Sequence, residues 1–277
     1  MKKLGTTAKA DTNNNESIQQ KTYIRSLKRH HTTITAMRIL LFVGFITIWE
    51  IAARMGWINA FIFSSPSRIL KTFRTMIADG SIFRHTSVTL GETFLSFGLI
   101  VVFGIGIALI LWMFTPLSEV LEPYLIVLNS LPKSALAPML IVWLGNNSKA
   151  IIVTAISVAI FGTILNIYTS FSETDPDKIK LMKTFGANRL TILTKLVIPA
   201  SLNTIVSNMK VNIGLCLVGV IIGEFLAAKA GLGYLIMYGS QIFKLDWVAM
   251  SIVILCIISV ILFKLIDLLQ KAAKKLY

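Results

Sequence analysis

Two apolar runs without any charged side chain, residues 93–118 and 150–172, constrain the fold more than any other feature of the chain. A bilayer crossing needs about 20 mostly apolar residues, so each run is long enough to span a membrane. Of the 277 residues, 55% are hydrophobic and only 14% are charged. The sequence therefore predicts an all-α protein that crosses the membrane several times.

Six membrane helices account for the apolar sequence. Residues 1–35 are rich in Asn, Thr, Gln, Lys and Arg and predict a disordered tail, which leaves residues 36–277 as the transmembrane domain. The basic tail and the first apolar stretch resemble a secretory signal, but Glu50 and Arg54 interrupt the place for cleavage and favour an uncleaved helix. The predicted spans are residues 37–54, 93–115, 121–144, 150–172, 200–225 and 247–268.

The distribution of Lys and Arg predicts the orientation of these helices. The two tails and the polar island between the fourth and fifth spans carry 16 such residues, whereas the loops on the opposite side carry eight. Positive residues accumulate on the cytoplasmic side, so both termini and the island are predicted to be cytoplasmic. The net charge of +14 follows this topology, and no basic surface with interleaved aromatic residues indicates nucleic-acid binding.

The polar island at residues 175–199, DPDKIKLMKTFGANRLTILTKLVIP, predicts two short helices. Asp175 followed by proline is typical of a helix start. Gly186 predicts the end of the first helix, and the second runs from about Asn188 to Pro199. Because irregular backbone and Lys side chains are costly in hydrocarbon, the island indicates a water-exposed docking site for a soluble partner.

An apolar stripe on the first island helix allows two interpretations. Ile179, Met182 and Phe185 recur at three-residue intervals, away from the Lys-bearing face. The stripe is covered either by a soluble partner or by the membrane helices of the chain itself. Composition alone does not separate these alternatives.

From Leu131 onward the chain resembles the permease subunits of bacterial ATP-binding-cassette importers, in the branch that carries sulfonate, taurine, nitrate and related molecules. The resemblance lies in LPKSALAPMLIVWLG at residues 131–145, in the island, and in GEFLAAKAGLGYLI at residues 223–236. It extends more weakly over about residues 40–270. It implies the fold of a type I importer permease, called MetI-like, with six transmembrane helices.

In that family the island is called the EAA loop, and its first helix docks in a groove of a cytoplasmic ATPase. The Glu-Ala-Ala triplet falls on Lys180, Leu181 and Met182 and is absent here, while Gly186 and Pro199 are kept. Lys180 replaces the acidic Glu of the family with a basic residue, so we expect the contacting charge on the partner to differ as well. The residues that the resemblance implies for ATPase coupling are Asp177, Ile179, Lys180, Met182, Phe185, Gly186, Ala187 and Pro199.

The resemblance also implies the partners: two ATPase subunits that hold ATP and Mg, a solute-binding protein outside the cell, and a second copy of the permease in a bacterial plasma membrane. The chain itself has no Gly-rich phosphate loop with Lys-Ser or Lys-Thr and no motif of a hydrolase or metalloenzyme. We therefore expect a transport subunit that is not an enzyme and binds no cofactor, and a small, anionic solute.

Broken or polar stretches inside the spans are candidates for the translocation path. Pro132 and Pro138 break or kink the third span beside Lys133, which lines the path or snorkels to an interface. Glu224 is a gate group or a structural partner, and Gly219 and Gly223 have the spacing of a helix contact. The candidate path and gate residues are Asn129, Pro132, Lys133, Ser134, Pro138, Asn166, Glu224, Gly231 and Gly233.

A secondary transporter driven by an ion gradient is the alternative function. Broken helices and charges at membrane depth also suit that class. The island distinguishes the two classes, because a gradient-driven carrier has no need of a two-helix cytoplasmic handle.

Overall fold

The computed structural model describes residues 7–274, whose regular structure is entirely helical. A π-helical turn, Leu193–Val197, joins two of the helices. In chain order the helices are α1 (Thr7–Arg54), α2 (Ala60–Phe63), α3 (Pro66–Ala78), α4 (Ser81–Met113), α5 (Thr115–Ser130), α6 (Lys133–Leu144), α7 (Ser148–Ser172), α8 (Pro176–Thr184), α9 (Arg189–Ile192), α10 (Ile198–Ala227), α11 (Leu232–Gln241) and α12 (Leu245–Lys274).

The described residues contain five candidate membrane spans, or six if one bent helix pair counts as a span, in the order that the sequence predicts. Within the described residues, five helical stretches are long and apolar enough to cross a membrane: Thr32–Arg54, Ser81–Met113, Ser148–Ser172, Arg189–Ala227 and Leu245–Leu268. A bent pair, α5 and α6, has the length and composition of a broken span or a re-entrant loop, and its axes meet at 97°. The bend lies at Leu131 and Pro132, where proline cannot continue a helix.

Two segments differ from the sequence prediction. Residues 7–35, expected to be disordered, form the first part of α1. Residues 6–35 contain neither Gly nor Pro, so nothing in their sequence interrupts a helix. Residues 1–6 of the predicted tail lie outside the described residues. Between the predicted spans 200–225 and 247–268, where the sequence predicted no helix, the structure has α11, a separate helix of 10 residues.

Pro199 does not end the second island helix. It lies in the first turn of α10, and the chain is helical from Arg189 through Ala227. The π-helical turn immediately before α10 changes the hydrogen-bond register where proline has no N–H to donate. The island is therefore continuous with the fifth span.

The chain divides into two compact units, residues 1–67 and 68–277. In the first unit, Glu50 near the end of α1 accepts a hydrogen bond from the Arg54 side chain at 2.6 Å and another from the Ser67 backbone N–H at 3.0 Å. Asn59 caps α2 by accepting the N–H of Phe61. The carboxylate thus joins α1 to the start of α3.

The second unit is built around α7, which packs against both α4 and α10, and these two helices also contact each other. Glycines allow the close approach. A Cβ added to Gly219 of α10 would lie 2.6 Å from the Cα of Ala155, and one added to Gly223 would lie 3.0 Å from the Cα of Ile151. Their predicted role as a helix contact is confirmed.

Replacing Gly219 with Ala tests this contact. Because the nearest atoms are α7 backbone, the helices must separate, and we expect the variant to lose about 1–3 kcal/mol of unfolding free energy. The measurement is unfolding of the detergent-solubilised protein on titration with SDS. Gly214→Ala, on the same helix with no neighbour within 4 Å of the added Cβ, is the control and should be neutral or slightly stabilising. Equal effects of the two substitutions would contradict the close packing.

Candidate functional site

The first island helix begins and ends as the sequence predicts. Asp175 caps α8 by accepting the backbone N–H of Asp177 at 2.9 Å. Gly186 has a φ of +79°, its N–H donates to the carbonyl of Lys183, and the N–H of Ala187 donates to the carbonyl of Met182. Only glycine adopts this left-handed conformation without steric cost, which explains the residue at the turn between α8 and α9.

One side of α8 is packed against the membrane helices. Ile179 and Met182 are half-buried against a core cluster that includes Ala108 of α4, Phe171 of α7 and Ile205 of α10. Ala187 packs against the same cluster. For these residues, the interpretation that the chain covers its own apolar stripe is the one the structure supports.

The opposite side of the island is exposed and apolar. Phe185 is 78% exposed, Leu181 56% and Leu190 of α9 58%. The predicted stripe is therefore divided: Ile179 and Met182 face the core, whereas Phe185 is exposed. With 3.6 residues per turn, Phe185 lies about 120° around the helix from Ile179 but close to Leu181, four residues earlier.

Sequence analysis missed Leu181 and Leu190 as surface residues of the island. The i, i+4 pair of Leu181 and Phe185 was the signal available for the first. Beside this pair, the Lys180 ammonium contacts the Asp177 carboxylate at 3.2 Å, with both side chains exposed. We call Leu181, Phe185 and Leu190 the outer face of the island.

Arg189 ties the second island helix to the α4–α5 junction. Its guanidinium donates to the backbone carbonyl of Trp112 at 2.7 Å and to the Thr115 hydroxyl at 2.8 Å. The guanidinium carbon also lies 5.4 Å from the centre of the Trp112 ring, within range of a cation–π contact. The island is thus attached to the junction of α4 and α5 as well as to α10.

The broken third span brings five predicted path residues together. The Lys133 ammonium at the start of α6 donates to the carbonyl of Asn129, in the last turn of α5. The amide of Asn129 also lies against Gly162 of α7, where an added Cβ would be 3.2 Å from Oδ1. Pro132 lies in the bend itself, Ser134 and Pro138 follow it, and all three positions are exposed. The lysine satisfies a carbonyl left free by the break, and its contact with solute stays a prediction.

Glu224, buried near the end of α10, holds the turn that leads into α11. The N–H of Gly233 donates to its Oε2 at 2.6 Å, and the Thr89 hydroxyl of α4 donates to its Oε1 at 2.7 Å. The N–H of Leu232 donates to the Thr89 hydroxyl at 2.8 Å. A Cβ on Gly231, where φ is +124°, would lie 2.2 Å from Oε1. The carboxylate therefore bridges three helices and requires glycine beside it.

Other members of this polar cluster were not singled out by sequence analysis. His85, outside the predicted spans, lies in α4, and its Nδ1 accepts the N–H of Gly231 at 3.0 Å. Glu92 is buried one turn after Thr89, and its carboxylate oxygens have no hydrogen-bond partner among residues 7–274. The helix α4 begins at Ser81, whereas the charge-free run begins at residue 93. His85, Thr89 and Glu92 precede that run, so a search for apolar runs did not assign them to a membrane helix.

Asn166 lies apart from both clusters, in a groove between α7 and α10. Its amide Nδ2 donates to Oδ1 of Asn208 at 3.1 Å. The groove has a volume of about 340 Å³ and is lined mainly by amide and hydroxyl side chains, including Thr169, Thr204 and Ser207. The predicted path residues thus occupy three places: the bend, the Glu224 cluster and this groove.

Replacing Glu224 with Ala tests the cluster. Removal of the carboxylate leaves the buried Gly233 N–H without its acceptor, which should cost about 1–3 kcal/mol of unfolding free energy. Glu224→Gln keeps an acceptor oxygen and should lose less. Glu122→Ala, at an exposed position of α5, is the control and should change stability by about 0.5 kcal/mol or less. SDS titration measures the unfolding free energy of each variant. A loss from Glu122→Ala at least as large as that from Glu224→Ala would refute the bridging role of Glu224.

Three curated relatives match most of the chain. An ABC transporter permease protein of Haemophilus influenzae is 30% identical, covering 84% of this chain and 95% of its own. The aliphatic sulfonates transport permease protein SsuC of Bacillus subtilis is 24% identical and 86% of each chain is covered. The formylaminopyrimidine transport permease protein ThiX of Halalkalibacterium halodurans is 27% identical, covering 70% of this chain and 77% of its own.

Solved structures share the fold. A chain of the inward-facing MetNI methionine ABC transporter matches with a TM-score of 0.61 at 18% identity, covering 70% of this chain and 97% of that one. A chain of a bacterial alginate ABC transporter, solved with an alginate pentasaccharide-bound periplasmic protein, matches with a TM-score of 0.61 at 13% identity and covers 94% and 98%.

The family model described as "Binding-protein-dependent transport system inner membrane component" matches residues 100–275. Together with the relative that is 30% identical over 84% of the chain, this match shows that the chain belongs to that family, the type I permeases of ABC importers.

Proposed function

We propose that this permease forms the translocation path of an ATP-driven importer and receives its mechanical input through the island. The observation that carries the proposal is the two-sided island. Ile179 and Met182 attach α8 to the core of α4, α7 and α10, while Leu181 and Phe185 remain exposed on the other side. An exposed apolar pair ringed by lysines on a polar segment is suited to a groove in a soluble protein.

The soluble protein is a cytoplasmic ATPase, present in two copies, which holds ATP and Mg. Two copies of the permease form the path, and both termini and the island face the cytoplasm of a bacterium, as the excess of Lys and Arg there favours. A binding protein outside delivers the solute. ATP-driven approach of the ATPases would move the islands and, with them, the helices to which they are attached.

The charge of the solute is a separate question. The relative named for aliphatic sulfonates supports the anion that the sequence resemblance implies, and the one named for formylaminopyrimidine supports an uncharged solute. In the described spans, Lys133 is the cation closest to the break, and its ammonium already donates to the carbonyl of Asn129. The side chains that line the groove between α7 and α10 are therefore better evidence for whether the solute is anionic or uncharged.

Replacing Phe185 with Asp tests the coupling. A charge on the outer face should weaken binding of the ATPase at least about tenfold, equivalent to 1.4 kcal/mol, because an apolar anchor is lost. The side chain is exposed, so the unfolding midpoint of the permease should not change. The measurement is the affinity of the purified permease for its ATPase, beside the unfolding midpoint of each variant.

Two further variants serve as controls. Phe185→Leu keeps an apolar group and should bind nearly as well as the original chain. Met182→Asp places a charge against the core cluster and should lower the unfolding midpoint itself. Full affinity of Phe185→Asp for the ATPase would sink the proposed interface.

Uptake into membrane vesicles separates the proposal from a gradient-driven carrier. We expect uptake to require ATP and the ATPase subunit and to persist when an uncoupler collapses ion gradients. Uptake that continues without the ATPase and stops with the uncoupler would support the secondary transporter instead.

A further inference from the structure

The groove between α7 and α10 places polar side chains on the outer surface of two membrane-spanning helices. Asn166 and Thr169 of α7, and Thr204 and Ser207 of α10, are exposed to it, and Asn208 lies at its base. Amide and hydroxyl groups at membrane depth are unfavourable against lipid and face water, solute or protein. This surface therefore belongs to an aqueous cavity or to a protein contact.

The two asparagines present a matched donor and acceptor. Asn166 Nδ2 donates to Asn208 Oδ1, and neither amide makes another hydrogen bond within residues 7–274. The carbonyl of Asn166 and the NH₂ group of Asn208 are left free. An acceptor and a donor side by side are suited to a solute group that offers the complementary pair, such as an amide, a urea or an amino-substituted heterocycle.

The charge of the groove argues against an anion. Among its described lining residues none is Lys or Arg, and Glu173, at the end of α7, contributes a carboxylate. The charge-assisted hydrogen bonds by which proteins hold sulfonate or phosphate oxygens require cations or clustered backbone N–H groups. The free Asn208 NH₂ group and the hydroxyls of the groove would give an anion only neutral donors, and Glu173 would repel it.

We infer that this groove is a solute-contacting wall of the path and that it favours an uncharged solute with adjacent hydrogen-bond donor and acceptor groups over an anionic one. The inference rests on the proposed function, because only a translocation path makes the solute in the groove the transported molecule. It replaces the anion expected from the sequence with the chemical class that the lining residues accommodate.

Thiol labelling tests the groove without a known cargo. Single cysteines replace Ser207 or Thr204 in the full chain, in a background where Cys216 and Cys256 are Ala. Inside-out membrane vesicles are then treated with methanethiosulfonates that carry a sulfonate, a hydroxyl or a trimethylammonium group. Ile257→Cys, on the exposed apolar side of α12, is the matched control for a surface that faces lipid.

We expect Ser207→Cys and Thr204→Cys to react with the neutral and cationic reagents at least about tenfold faster than with the sulfonate reagent, after normalisation to free cysteine. Ile257→Cys should react slowly with all three. An amino-substituted pyrimidine should slow labelling of Ser207→Cys several-fold while ethanesulfonate does not, and the added substitution Asn166→Leu should remove that protection.

Three results would overturn the inference. Thiols inert to every reagent would show that a second copy or lipid covers the surface. Labelling that is as fast or faster with the sulfonate reagent would contradict its charge selectivity, and so would protection by ethanesulfonate. Lack of protection by the aminopyrimidine would contradict the hydrogen-bonding role. Labelling needs neither ATP nor the ATPase, so failure of the coupling proposal in the uptake assay is distinguishable from failure here.

Discussion

The attachment of α8 to the membrane helices is the interaction on which the rest of the account depends. Ile179 and Met182 bury part of their surface against residues of α4, α7 and α10, and Arg189 adds a charged tether to the backbone at Trp112. Packed protein interiors transmit displacement because they resist compression. In the proposed mechanism, a force on the exposed side of the island would reach three spans through these contacts.

Close helix packing and polar bridges connect α4, α7, α10 and the start of α11 in the second unit. Gly219 and Gly223 bring α7 and α10 within backbone contact, and Glu224 joins α10 to α4 and to the turn before α11. The groove with Asn166 and Asn208 lies on the same two helices, α7 and α10. In the proposed mechanism, motion of the island would reach the groove through α10, because the chain is helical from Arg189 through Ala227.

The sequence was informative where one residue type has a single strong structural meaning. Charge-free runs located the spans, Gly186 located the end of α8, and the prolines located the bend. It was less informative where a surface depends on tertiary packing. The three-residue spacing of Ile179, Met182 and Phe185 predicted one stripe, although only the fold decides which of these side chains the core covers. Pro199 was expected to end a helix, although proline also fits the first turn of one, and residues 7–35 were expected to be disordered from their polar composition, although no Gly or Pro interrupts a helix there.

Crosslinking from two positions of α8 tests the central claim most directly. A photoreactive benzoylphenylalanine is placed at Phe185 or at Ile179 in the full chain, expressed with the ATPase and illuminated in membranes. We expect crosslinks from Phe185 to the ATPase and crosslinks from Ile179 within the permease itself. Crosslinks to the ATPase from Ile179 and none from Phe185 would show that the outer face is not the coupling surface.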